Sequence, residues 1–80
     1  MWEVIDNSLY RKFVFTDFVQ AFTFMNAVAF RAEQLQHHPL WKNEYNKVEI
    51  WLTTHDAGSI VTEKDKKLSE IIDAVYKSFE

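Results

Sequence analysis

The sequence predicts an α+β domain: a four-stranded antiparallel sheet with helices packed on one face, in the order β-β-α-β-β-α. Three observations carry that expectation. Leu9–Phe15 and Val48–Thr54 alternate side chains with the period of two that a half-buried strand requires. Phe18–Leu35 and Leu68–Phe79 instead repeat apolar residues at helical spacing. Between these runs stand turn-forming residues, Asp6-Asn7-Ser8, Asn46-Lys47 and the only glycine, Gly58, together with the only proline, Pro39.

In chain order, Trp2–Ile5 is a short strand-like run, and Asp6-Asn7-Ser8 is the turn of a hairpin. The returning strand places Leu9, Arg11, Phe13 and Phe15 on one face and Tyr10, Lys12 and Val14 on the other. Thr16 or Asp17 then starts a helix, with Asp17 and Gln20 at capping-box spacing. Its main apolar stripe is Phe18, Ala21, Phe22, Met25, Val28, Ala29, Ala32 and Leu35, with a second stripe of Phe24, Ala27 and Phe30 around the side. A helix apolar on more than one face needs a second surface to cover it, so this one is expected to form an oligomer interface in a homodimer or homotetramer. Proline disfavours helical geometry at the residue before it, which predicts a helix end near His37 and a turned-out His38. Trp41–Tyr45 and Val48–Thr54 are the third and fourth strands, His55–Ser59 is a loop, and Thr62 with Asp65 has the spacing of a cap on the last helix. Leu68, Ile71, Ile72, Val75 and Phe79 form that helix's apolar stripe.

Composition narrows the class. Eighty residues correspond to a single domain spanning residues 1–80, and a core that small is marginal unless something assists it. With no cysteine, disulfides and thiolate metal sites are excluded. Self-association is the remaining aid, and 48% apolar with 16% aromatic residues suits it. Nine basic against 12 acidic side chains leave no footprint for direct binding of nucleic acid. No run of 18 apolar residues predicts a membrane span, and MWEVIDNSLY lacks the basic and apolar regions of a signal peptide, so a reduced, cytoplasmic protein is expected.

Three features could carry chemistry: Glu33, the pair His37-His38, and Thr54-His55-Asp56. Glu33 and His37 share a face if both are helical. A histidine at a helix C-terminus can simply answer the helix dipole. Three histidines with Glu33 suggest zinc, yet the His-Glu-x-x-His spacing is missing, so no metal is expected. A serine hydrolase is disfavoured by the lack of a Gly-x-Ser-x-Gly elbow. General acid-base catalysis without a cofactor remains, because imidazole both donates and accepts protons near neutrality. Trp41 and the other rings suit a flat heterocyclic substrate.

The motifs E-x3-H-H-P-x-W (Glu33 to Trp41), Y-N-K-V (Tyr45 to Val48), T-H-D-A-G (Thr54 to Gly58) and T-E-K-D (Thr62 to Asp65) together resemble the pterin-4a-carbinolamine dehydratases, also known as dimerization cofactors of a homeodomain transcription factor. F-x-F-x-D-F-x-x-A-F-x-F-M (Phe13 to Met25) and Trp2 extend the resemblance over nearly the whole chain. It implies a hydro-lyase that converts 4a-hydroxytetrahydropterin to quinonoid dihydropterin and water in tetrahydrobiopterin recycling, with no cofactor. By matching positions, the catalytic set is His37 and His55 as acid-base groups on opposite faces of the pterin, with His38 binding and orienting it. Glu33 supports the cluster; Pro39, Thr54, Asp56 and Ala57 line the pocket; Trp41 and Asp65 stand at its border. The alternative within the same fold is a non-catalytic pterin-binding or protein-partner module. Three departures accompany the match. The family's helix before the first strand has no counterpart, so different outer packing is expected. Gln36 stands where animal members have Asp. The loop Gly58–Thr62 is one residue longer than the usual Gly-Gly-Leu-Thr form.

Overall fold

A computed structural model describes residues 1–80. The elements are β1 (Glu3–Ile5), β2 (Ser8–Val14), α1 (Phe18–Leu35), β3 (Leu40–Glu44), β4 (Lys47–Leu52), a 3₁₀ turn at His55–Ala57, and α2 (Glu63–Lys77). The four strands form one antiparallel sheet in the order β1-β2-β4-β3, which is the expected α+β architecture.

Both hairpins are closed by tight turns with left-handed residues. Asp6 and Asn7 lie at φ 50° and 65°, and Tyr45 at 52°. In the first turn, positive φ at both Asp6 and Asn7 gives the twist that matches paired strands, and Asp and Asn tolerate it well; the second turn has it at Tyr45 and not at Asn46. Phe13 pairs with Val48 and Leu9 with Leu52, so the alternating residues Phe13, Val48, Ile50 and Leu52 bury together under the helices. The opposite face carries Tyr10, Lys12, Glu49 and Trp51. There the Tyr10 hydroxyl donates to Glu49 Oε2 at 2.5 Å. That bond, with Tyr10's desolvation and the nearby Glu49 charge, pushes the phenol up to about 12.

Asp17 caps α1, its Oδ1 accepting from the Gln20 amide at 2.8 Å. Gln20 Oε1 reaches back to the amide and hydroxyl of Thr16. The buried stripe of α1 is Ala21, Phe24, Val28 and Ala32, with Met25 and Leu35 packed alongside. This corrects the sequence assignment of the stripes. Phe24 is a core residue, its ring 5.0 Å from Phe13, 4.9 Å from Phe15 and 5.9 Å from Tyr76. Phe18 and Phe22 lie outside and stack on one another. Both stripes satisfied helical spacing; the position of Phe13 and Phe15 on the sheet decided which faced inward. Phe22 is 49% exposed and Phe30 74%, so an apolar surface remains on the outer side of α1.

On α2, Leu68 and Ile72 are buried and Val75, Tyr76 and Phe79 pack against the same core. Asp73 Oδ1 accepts from both the Trp2 indole and Arg11, each at 2.8 Å, and ties the first hairpin to α2. No helix is long and apolar enough to cross a membrane.

Candidate active site

The end of α1 sets the directions of the histidine pair. The helix closes at Gln36, which takes the left-handed conformation at φ 54° and ψ 39°. The His37 amide donates to Ala32 O at 3.2 Å and the Gln36 amide to Glu33 O at 3.1 Å. This is the Schellman pattern, which satisfies the helix's last carbonyls. The helix therefore stops before the histidines, not at them, and Pro39 follows an end already made by Gln36. As a result His37 loses its helical alignment with Glu33. Glu33 Oε1 instead meets His38 Nε2 at 2.7 Å, with Gln36 Nε2 on its other oxygen at 3.3 Å. These hydrogen bonds, from His38 foremost, hold the Glu33 carboxyl below its usual value. The pair is open to water, with the His38 side chain 60% exposed.

His37 turns inward. Its side chain is 11% exposed, and its Nε2 lies 2.5 Å from Oδ1 of Asp65, which is fully buried. Asp65 Oδ2 accepts from the Thr54 hydroxyl at 2.7 Å and the Thr62 amide at 2.8 Å. The Thr54 and Thr62 hydroxyls meet at 2.7 Å. Burial alone pushes the Asp65 carboxyl up; the donors His37, Thr62 and Thr54 outweigh it and hold the group below its ordinary value. Asp65 thus has two functions in one place. It is the acidic partner of the α2 cap, and it is the acceptor that fixes one nitrogen of His37. An ionised carboxylate can only accept, so Nε2 of His37 carries hydrogen and Nδ1 is the nitrogen left for a substrate.

Thr54 links this network to the third histidine. Just beyond β4, its amide donates to Ile60 O at 2.9 Å, and its carbonyl accepts from Ala57 and Ser59. The intervening loop starts at His55, which is exposed. His37, His38, Thr54, His55 and Asp56 border one hollow of about 180 Å³, together with Gln36, Thr53 and Lys64. Ala57 borders an adjoining hollow shared with Thr54, Asp56, Thr62, Glu63 and Lys64. Glu33 does not border the hollow and reaches it through His38 and Gln36. Trp41 packs against the hydrophobic core, and neither it nor Pro39 is part of the wall. No group of three His, Asp or Glu side chains converges closely enough to hold a metal ion.

Two wall residues escaped the sequence reading. Thr53 faces the open side of the sheet, and its hydroxyl donates to Asn7 O at 3.2 Å. Lys64 borders three hollows, two of which His37 also lines. Its sequence signal was its place within T-E-K-D, one residue before Asp65. On a helix surface such a lysine reads as an ordinary solvated charge.

Comparisons with known proteins agree on the relationship. The family model described as pterin 4 alpha carbinolamine dehydratase matches residues 1–75. A Prochlorococcus marinus (strain MIT 9515) protein, provisionally named pterin-4-alpha-carbinolamine dehydratase, is 46% identical over 95% of this chain and 78% of its own. A Solibacter usitatus (strain Ellin6076) protein with the same provisional name is 49% identical over 92% of this chain and 77% of its own. Among solved structures, a transcriptional coactivator/pterin dehydratase from Brucella Melitensis superimposes with a TM-score of 0.88 at 42% identity, covering 92% of this chain and 80% of that one. A pterin dehydratase-like protein identified as a RuBisCO assembly factor in the alpha-carboxysome gives a TM-score of 0.74 at 22% identity, over 94% and 86% of the two chains, and shows the shared fold alone.

Proposed function

The chain belongs to the pterin 4 alpha carbinolamine dehydratase family, and we propose that it removes water from 4a-hydroxytetrahydropterin to give quinonoid dihydropterin. The observation that carries this reading is the buried Asp65–His37 pair opening onto a hollow that also holds His38 and His55.

The reaction needs one proton removed from N5 and one delivered to the hydroxyl on C4a. The C4a–O bond breaks, the C4a=N5 bond forms, and the hydroxyl leaves as water. On this reading His37 takes the N5 proton at Nδ1. Asp65 holds the opposite nitrogen, keeps the ring in one tautomer and stabilises the imidazolium as it forms. His55, on the loop across the hollow, gives the proton to the departing hydroxyl. His38 orients the ring and is itself held by Glu33. The two proton changes cancel through water after each turnover. A hollow of about 180 Å³ is small beside the roughly 300–1,000 Å³ typical of ligand pockets. It suits a bicyclic ring whose substituent lies outside, near Ala57, Asp56 and Lys64. General acid-base catalysis supplies roughly 10²–10⁴-fold, and no metal or cofactor enters. The exposed phenylalanines of α1 support a homodimer or homotetramer.

The test generates the carbinolamine with a hydroxylase and follows quinonoid dihydropterin. Folded protein that does not exceed the buffer blank removes the proposal. A second reading, a pterin-binding or protein-partner module without turnover, draws support from the coactivator named in the Brucella structure and from the uncovered face of α1. A thermal shift with dihydropterin but no rate effect would favour it.

A further inference from the structure

The acid-base division leaves His55 without an orienting partner comparable to Asp65. The loop after it supplies one. Gly58 N donates to His55 O at 3.0 Å, Ser59 N to Thr54 O at 3.0 Å, and Thr54 N to Ile60 O at 2.9 Å. These bonds close the loop and hold Ser59 at φ 60°. A serine rarely adopts the left-handed region, and such a residue persists only where its surroundings fix it. Here the conformation brings Ser59 Oγ to 3.5 Å from His55 Nδ1, the only side-chain contact of this kind made by the His55 ring.

We propose that Ser59 is a positioning residue for His55: its hydroxyl oxygen accepts from Nδ1–H, which leaves Nε2 facing the hollow. This rests on the dehydratase reading. Asp65 sets His37 with a free Nδ1 lone pair, a base; Ser59 holds Nδ1–H of His55, so that the imidazolium gives its Nε2 proton to the leaving hydroxyl and returns to the neutral Nδ1–H tautomer. A contact of 3.5 Å is long for a hydrogen bond, as catalytic contacts often are before substrate binds and tightens them.

The experiment compares wild type, Ser59→Gly and Ser59→Asn by ¹⁵N–¹H correlation spectra of the imidazoles and by kcat and KM for carbinolamine dehydration. Glycine accepts positive φ without strain, so Ser59→Gly keeps the loop. It should nonetheless let the His55 tautomers mix and lower kcat about five-fold, the worth of one hydrogen bond, with KM changed by less than about two-fold. Asparagine tolerates the left-handed region and offers an amide oxygen as acceptor, so Ser59→Asn should recover the tautomer and most of kcat. A wild-type tautomer in Ser59→Gly overturns the proposal. So does a mixed tautomer with unchanged kcat. If the wild type shows no dehydration, the functional reading fails instead, and the proposed dependence of the reaction on Ser59 falls with it, while the two spectra still decide whether Ser59 holds the ring.

Discussion

Replacing Asp65 with Asn changes one atom and tests the base assignment. In the wild type, Asp65 Oδ1 accepts from His37, while Oδ2 accepts from Thr54 and Thr62. Asparagine can keep its single oxygen toward Thr54 and Thr62. Its amide NH₂ then faces His37 Nε2, which must become an acceptor. The hydrogen moves to Nδ1, and the lone pair assigned as the base is gone. Charge-assisted hydrogen bonds become neutral ones, and the buried charge disappears, so the stability cost is about 1–2 kcal/mol. The rate cost is the loss of a positioned base, about 10²-fold. Asp65→Ala is the poorer test. It strands the His37 N–H and the Thr62 amide, at about 1–3 kcal/mol each, a large share of the roughly 4–12 kcal/mol expected for a domain of this length. Urea unfolding at one fixed protein concentration and the dehydration assay separate the two effects. A folded Asp65→Asn protein within about two-fold of the wild-type rate would refute the tautomer argument.

His37→Ala and His55→Ala should each lower dehydration about 10²-fold, and the double variant should approach the uncatalysed rate; circular dichroism checks that each folds, and a single variant at full rate removes that residue from the mechanism. The depressed Asp65 carboxyl means that the unfolded chain binds this proton at higher pH than the folded one. Its stabilisation is therefore present above the unfolded value, 3.8 for an unperturbed Asp, and is lost as pH falls through the folded value. Urea midpoints followed downward from about pH 5 should fall more steeply for the wild type than for Asp65→Asn; parallel curves would contradict this. Phe22→Glu with Phe30→Glu should convert a sedimenting dimer or tetramer to monomer at micromolar concentration, since both rings lie on the exposed side of α1. A monomeric wild type would contradict the oligomer.

The sheet was legible because its signals are local and redundant. Phe13, Val48, Ile50 and Leu52 alternate in sequence and bury together, and Asp6-Asn7 is a turn by residue chemistry. The end of α1 was less legible because the left-handed residue there is Gln36, where glycine is the usual signal. That two-residue difference moved His37 off the helical face of Glu33 and made His38 its partner. Phe24 was placed on the wrong stripe for a related reason: helical spacing gives a set of faces, and only the sheet chooses among them. The histidines could be picked out by residue type. Asp65 had a sufficient local explanation in the cap of α2, and nothing local points to His37, 28 positions earlier. The contact exists because the α1 terminus and the α2 start meet beside Thr54. Lys64 and Thr53 belong to the same class, ordinary in sequence and placed at the site only by the way the chain folds back.

The most direct test follows quinonoid dihydropterin after the carbinolamine is generated with wild-type protein present or absent. The account predicts that formation accelerates by roughly 10²-fold or more and that chelator leaves the rate unchanged. A trace superimposable on the buffer blank, with the protein folded and its melting temperature raised by dihydropterin, would contradict it and leave a binding module in place of an enzyme.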